Sequence, residues 1–144
     1  MLTHTREELQ RYYLDLIGMT EPGPGALSIE TYEADLIVGV THFNNAHLRP
    51  GGVVSGPNLF AVVDSMGFLV TVAHSPKGSN GFTSALAMQF LRPAPVGGIR
   101  VEGRLLKYGK RSCVVDALVY STELDQPVAQ GTVTYVPVLP SANS

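Results

Sequence analysis

The residues best suited to chemistry in this 144-residue chain gather between Gly51 and Ser75. The stretch GGVVSGPNLFAVVDSMGFLVTVAHS opens on glycines, passes Ser55, Gly56 and Pro57, and then turns apolar. Between Arg49 and Lys77 its one formally charged residue is Asp64. A carboxylate among Leu59, Phe60, Val62, Val63, Met66, Phe68 and Leu69 is costly unless it is paired, hydrated or protonated. Such a group is a first candidate for acid–base or nucleophilic work. Ser55 has no evident histidine partner, so a serine nucleophile is not expected. His42 and His47 sit in a polar loop with no Cys, Asp or Glu at ligand spacing, and no metal site is expected. Cys113, inside a strand-like segment, reads as packed core.

The elements that must position Asp64 follow from the same stretch. Pro57 suits the first turn of a helix, where its missing N–H would be unpaired anyway, with Gly56 or Ser55 as the N-cap. The run after it leaves almost no polar face, so the helix must be buried on nearly all sides. An amphipathic helix is expected from Thr3 to Met19, within an N-terminal unit 1–20. It has a Thr5/Glu8 capping box and a stripe of Leu9, Tyr12, Tyr13, Leu16 and Ile17. Leu27 to Val40 reads as one or two strands, and Thr41 to Pro50 as a polar loop. Phe82 to Leu91 puts Phe82, Ser84, Leu86, Met88 and Phe90 on one side and Thr83, Ala85, Ala87, Gln89 and Leu91 on the other. Both sides are apolar or small, which predicts a central strand. Ile99–Leu106, Ser112–Thr122 and Val128–Val136 complete four strands after the helix, joined by short turns that imply antiparallel neighbours. The tail 137–144 is expected to be flexible. The compact solution is a single α+β domain over 1–144, a curved antiparallel sheet around one long buried helix.

Composition excludes several classes of function. The formal net charge is −2, which gives no pull toward nucleic acid or an anionic membrane surface. One cysteine leaves no internal disulfide and fits a reducing compartment. The N-terminal MLTHTREELQ is polar and lacks the apolar core of a signal peptide, so a cytoplasmic location is expected. The apolar run reaches only the low edge of membrane-span length, and Asp64, Ser65 and Gly67 within it argue against a span. No internal repeat or second domain is visible.

The order of four motifs resembles a known family. G-G-V-V-S-G-P at residues 51–57 is followed, after six intervening residues, by Asp64. Then come F-L-R-P-A-P-V-G at 90–97, L-L-K-Y-G-K-R at 105–111 and V-A-Q-G-T at 128–132. Together they resemble the hotdog-fold acyl-CoA thioesterases of the PaaI type, over residues 45–136. The resemblance implies the hotdog fold, an acyl-CoA substrate, no cofactor, and a homodimer or homotetramer with active sites at the subunit interface. It matches Gly56 to the first glycine of a His-Gly-Gly motif, Asp64 to the helix acid, and Thr83 to the Ser or Thr opening the next strand. Arg92, Lys107, Lys110 and Arg111 look like the basic residues near the coenzyme A entrance. Three positions depart: Ser55 stands where the family usually has His, Pro57 replaces the second glycine, and Arg49 falls where a polar residue such as Asn often assists.

On that resemblance, the Gly56 N–H at the helix N-terminus would stabilise the oxyanion of a thioester under attack, while Pro57 offers no second amide. Asp64 would act as general base on water or as a nucleophile, with Thr83 holding the water or Asp64 itself. Asp64 lies about 12 Å along the helix axis from Gly56, so the resemblance implies that Gly56 of one subunit works with Asp64 of the other. Ser55 is a candidate site residue or an N-cap, and Arg49 a candidate substrate contact. The departures also keep open a non-hydrolytic acyl-CoA binding protein on the same fold. Phe60, Phe68, Phe82 and Met88 are candidates for an apolar tunnel or for core.

Overall fold

The computed structural model describes residues 1–141. In chain order the elements are α1 (Arg6–Leu16), β1 (Ser28–Glu33), β2 (Leu36–Phe43), a 3-10 turn (Asn45–His47), β3 (Leu48–Arg49), β4 (Val53–Val54), α2 (Gly56–Ala73), β5 (Asn80–Phe90), β6 (Gly97–Tyr108), β7 (Cys113–Ser121) and β8 (Pro127–Val138). Six strands form one antiparallel sheet in the order β1-β2-β6-β7-β8-β5, and β3 pairs with β4 as a small ribbon. The sheet wraps α2, which is the hotdog arrangement.

Alternation builds the concave face. β7 is buried at every second residue, with Val115, Ala117 and Val119 inward, and β8 contributes Ala129, Val133 and Tyr135. α2 meets this face with Val62, Val63, Met66, Leu69 and Val70, all at most 1% exposed. By length and composition α2 could cross a membrane, but here its apolar residues fill the hollow of the sheet. Gly67 sets the helix–sheet distance. A Cβ there would lie 2.4 Å from Val133 Cγ1, so any larger residue would push the helix off the sheet.

α1 is held by the expected Thr5–Glu8 capping box. Its buried residues are Leu9, Tyr13 and Leu14. Leu16 and Ile17, expected in the packed stripe, are 58% and 40% exposed instead, because the helix ends over a cleft and not over core. Gln10 fixes the helix to β1, donating to Leu27 O (3.1 Å) and accepting from Ile29 N (2.7 Å).

Three further expectations change. β2 runs on to Phe43, and the stretch expected as loop also carries the 3-10 turn and β3. β5 lies at the edge of the sheet and not at its centre; apolar character on both faces does not place it inside, and Phe82 and Phe90 are 56% and 55% exposed. The strict alternation assigned to β5 is also broken. Its register against β8 shifts between Thr83 and Ala85, a bulge that leaves Ser84 unpaired. Thr83 faces Tyr135, Leu86 faces Val133 and Met88 faces Gly131, so Thr83 shares the inner face with Leu86 and Met88. Of the tail 137–144, Pro137 and Val138 belong to β8, paired with Gly81 and Asn80; residues 142–144 lie outside the described residues.

Candidate active site

Asp64 sits in the middle of α2, half-buried, and opens into a cleft of about 250 Å³. Its Oδ1 accepts a hydrogen bond from Thr83 Oγ1 at 2.5 Å. The polar wall of the cleft carries Tyr13, Ser65 and Tyr135; the apolar wall is Leu16, Ile17, Phe68 and Phe82. Tyr13 ties α1 to this place, its hydroxyl donating to Ser65 Oγ (3.2 Å) and accepting from Leu27 N (3.1 Å). Burial, then the nearby Asp64 carboxylate and then Tyr12 push the Tyr135 phenol up to about 12. It is a neutral hydroxyl at any ordinary pH.

The start of α2 forms a second locus. Ser55 is the N-cap by backbone conformation, yet its side chain makes no capping bond. Its Oγ accepts instead from Asn58 Nδ2 at 2.7 Å, and the same Nδ2 donates to His47 O at 3.0 Å. Ser55 N also donates to His47 O, at 3.0 Å. The 3-10 turn is thereby braced against the helix start. His47 contributes only its carbonyl here, its Nδ1 being taken by Asn44 N (3.1 Å), so Ser55 has no imidazole beside it. Gly56, Pro57, Phe60 and Phe90 form an exposed apolar surface at this end.

Next to it lies a cleft of about 260 Å³ that brings Arg49 and Arg92 together across Val53, Leu59, Phe90 and Ala94. Arg49 Nη1 donates to Pro50 O (3.0 Å) and Arg92 Nη1 to Pro127 O (2.6 Å). Neither forms an ion pair with a described carboxylate, whereas Arg100 and Arg104 both bind Glu102. Lys107, near the end of β6, and Lys110 and Arg111, on the β6–β7 turn, are exposed. That turn is near the C-terminal end of α2, where Tyr108 Oη meets Ser75 Oγ (2.8 Å). Of the four cations expected at one entrance, Arg92 therefore lies at the Gly56 end beside Arg49, and Lys107, Lys110 and Arg111 lie at the opposite end within one chain.

Asp64 and Thr83 are joined directly, but Gly56 and Ser55 are not in the Asp64 cleft of the same chain. Sequence reasoning missed Tyr13, Ser65, Tyr135 and the cleft-facing role of Leu16 and Ile17. Only Tyr135 left a trace, as a polar-tipped residue at an inward position of an alternating strand. Cys113 is fully buried, its thiol pushed up by burial, so it is inert core.

Comparison with known proteins agrees with the fold. The family description "Thioesterase superfamily" matches residues 51–128, more than half of the chain. A candidate esterase of Saccharolobus solfataricus is 37% identical over 79 residues, which is 55% of this chain and 52% of that protein. The match thus spans about half the length of that curated relative. Among solved structures, a candidate thioesterase from Silicibacter sp. TM1040 superposes with a TM-score of 0.84 at 29% identity, covering 96% of this chain and 94% of that one. A candidate thioesterase from Ralstonia eutropha JMP134, described as phenylacetic acid degradation-related, gives 0.74 at 26%, covering 87% and 98%. A Streptococcus mutans UA159 protein solved with acetyl-CoA shares the fold, with a TM-score of 0.70 at 21% identity, covering 83% of this chain and 91% of that one.

Proposed function

This chain belongs to the thioesterase superfamily, and from that premise we propose that it hydrolyses an acyl-CoA thioester to the free acid and coenzyme A, with Asp64 as general base. The observation that carries the reading is the Thr83–Asp64 hydrogen bond inside an apolar-walled cleft. Thr83 occupies Oδ1 and leaves Oδ2 for a water. In the reaction the water oxygen bonds to the thioester carbon as its proton passes to Asp64. The carbonyl electron pair moves onto oxygen, and the resulting oxyanion is held by the Gly56 N–H at the helix N-terminus. Collapse breaks the C–S bond, and the thiolate recovers the proton from Asp64.

The acting Gly56 belongs to the partner subunit in this reading. Along α2 the two residues are about 12 Å apart, too far for one carbonyl. The free edge of β5, with Phe60, Phe82, Phe90 and Leu91 exposed beside it, supports a homodimer formed there. Arg49 and Arg92 at the Gly56 end would take the phosphates of coenzyme A. The acetyl-CoA bound to the Streptococcus mutans protein of this fold supports that ligand class.

The decisive experiment is thiol release from a panel of acyl-CoA thioesters, short to long and aryl, by wild type and Asp64→Ala. The reading expects turnover by the wild type and its loss in the variant with the fold retained. Thioesters that raise the melting temperature of the wild type yet stay intact would instead establish the non-hydrolytic binding protein.

A further inference from the structure

Tyr135 is the exception among the inward-facing tyrosines. Tyr12 Oη donates to Ser79 O (3.1 Å), Tyr32 Oη to His4 O (2.9 Å), and Tyr13 Oη bonds both Ser65 and Leu27. Tyr135 is 4% exposed, and its hydroxyl has no hydrogen-bond partner among the described residues. Buried hydroxyls are ordinarily bonded. This one is not sealed away, as Thr71 Oγ1 and Ser79 Oγ are; its side chain lines the cleft that holds Asp64 and Thr83. The ring is fixed from several directions. It packs edge-on to Phe68, with centroids 6.4 Å apart. It stands opposite Thr83 in the β5–β8 ladder. Gly81 makes room for it, since a Cβ there would lie 2.6 Å from Tyr135 Cε1. The result is a rigid, unsatisfied hydroxyl facing the same space as the free oxygen of Asp64.

We propose that the Tyr135 hydroxyl and Asp64 Oδ2 together hold the water that attacks the thioester. The proposal rests on Asp64 acting as general base. The water donates one hydrogen to Asp64 Oδ2 and the other to Tyr135 Oη, which turns a lone pair toward the carbonyl carbon. Asp64 takes the first proton as the C–O bond forms; Tyr135 keeps its own proton throughout and neither gains nor loses a charge. A neutral phenol suits this role because it accepts a hydrogen bond without competing for the proton. Tyr135 is a positioning residue.

The test is Tyr135→Phe, which keeps the ring and removes only the unpartnered oxygen. The expected result is a kcat lowered roughly 10- to 100-fold, KM within about twofold, and a melting temperature unchanged or higher. In the Asp64→Asn background the same change should cost nothing further, since a water without its base gains little from being aimed. A Tyr135→Phe enzyme with wild-type kcat overturns the proposal, as does one that fails to fold, because the hydroxyl would then have a structural partner. Full multiplication of the two single effects in the double variant also overturns it. These outcomes leave the thioesterase reading standing; a wild type that frees no thiol from any acyl-CoA removes both.

Discussion

Thr83 reaches Asp64 because β5 is bulged one residue later. The register of β5 against β8 shifts between Thr83 and Ala85, so Thr83 points inward with Leu86 and Met88, two residues of the opposite parity. Without the bulge, either Thr83 or the apolar pair would face outward. Bulges re-aim side chains in this way beside functional sites, and here the effect is a 2.5 Å bond to the carboxylate.

Thr83→Val keeps shape and removes the donor. The expected loss in kcat is about tenfold or more, since Asp64 loses the contact that fixes its rotamer, and Thr83→Ser should recover most of it. Steady-state kinetics with thiol detection checks both. A Thr83→Val enzyme at wild-type rate would mean that the bond is only structural.

Shared sites can be read by complementation. Gly56→Pro removes one N–H at a helix position where proline is tolerated, and Asp64→Asn removes the base; each alone should be nearly inactive. Refolded together in equal amounts, half of the dimers carry one intact site, so activity should return to about a quarter of wild type. No recovery, with dimers present by light scattering, would place both groups in one chain.

The exposed end of α1 faces the Asp64 cleft through Leu16 and Ile17. Shortening them to Ala should move the kcat/KM optimum toward longer acyl groups, and Leu16→Trp toward shorter ones, with a shift of about tenfold between neighbouring substrates. An unchanged profile from acetyl to palmitoyl would assign that wall to something other than the acyl chain.

Arg49 and Arg92 share a cleft and lack described carboxylate partners. Replacing either with Gln should raise KM several-fold while leaving kcat close to wild type, the pattern of lost uniform binding. Added salt should erode the difference. Lys107→Gln, at the far end of the sheet, serves as the control.

Folding stability should show one acid-dependent contact. Glu8 accepts from Lys77 Nζ at 2.7 Å and from Thr5 N at 2.9 Å. The Lys77 bond first, and the Thr5 backbone bond second, hold its carboxyl down from 4.5 to about 2. A depressed carboxyl stabilises the fold above its unfolded value and loses that contribution as pH falls through its folded value. Lys77→Met should therefore melt below wild type at neutral pH. The gap should close between pH 4.5 and about 2, and also in high salt, because both groups are exposed. A gap constant across that range would refute the link.

The sequence by itself determined the α+β class, the buried helix from Gly56 onward, the capping box at Thr5 and the lone carboxylate of Asp64 within that helix. These are local signals: an apolar run with one carboxylate, a proline at a helix start, a three-residue capping spacing. Each is written in neighbouring residues, so periodicity and propensity suffice to read it. Only the tertiary structure decided which faces meet. It put β5 at the sheet edge, turned Thr83 inward through the bulge at Ser84, and divided Arg49 and Arg92 from Lys107, Lys110 and Arg111. It also gathered Tyr13, Leu16 and Tyr135 around Asp64 from segments far apart in the chain. The physical reason is that strand order, register shifts and the meeting of distant elements are set by pairing and packing between residues that have no fixed spacing in sequence.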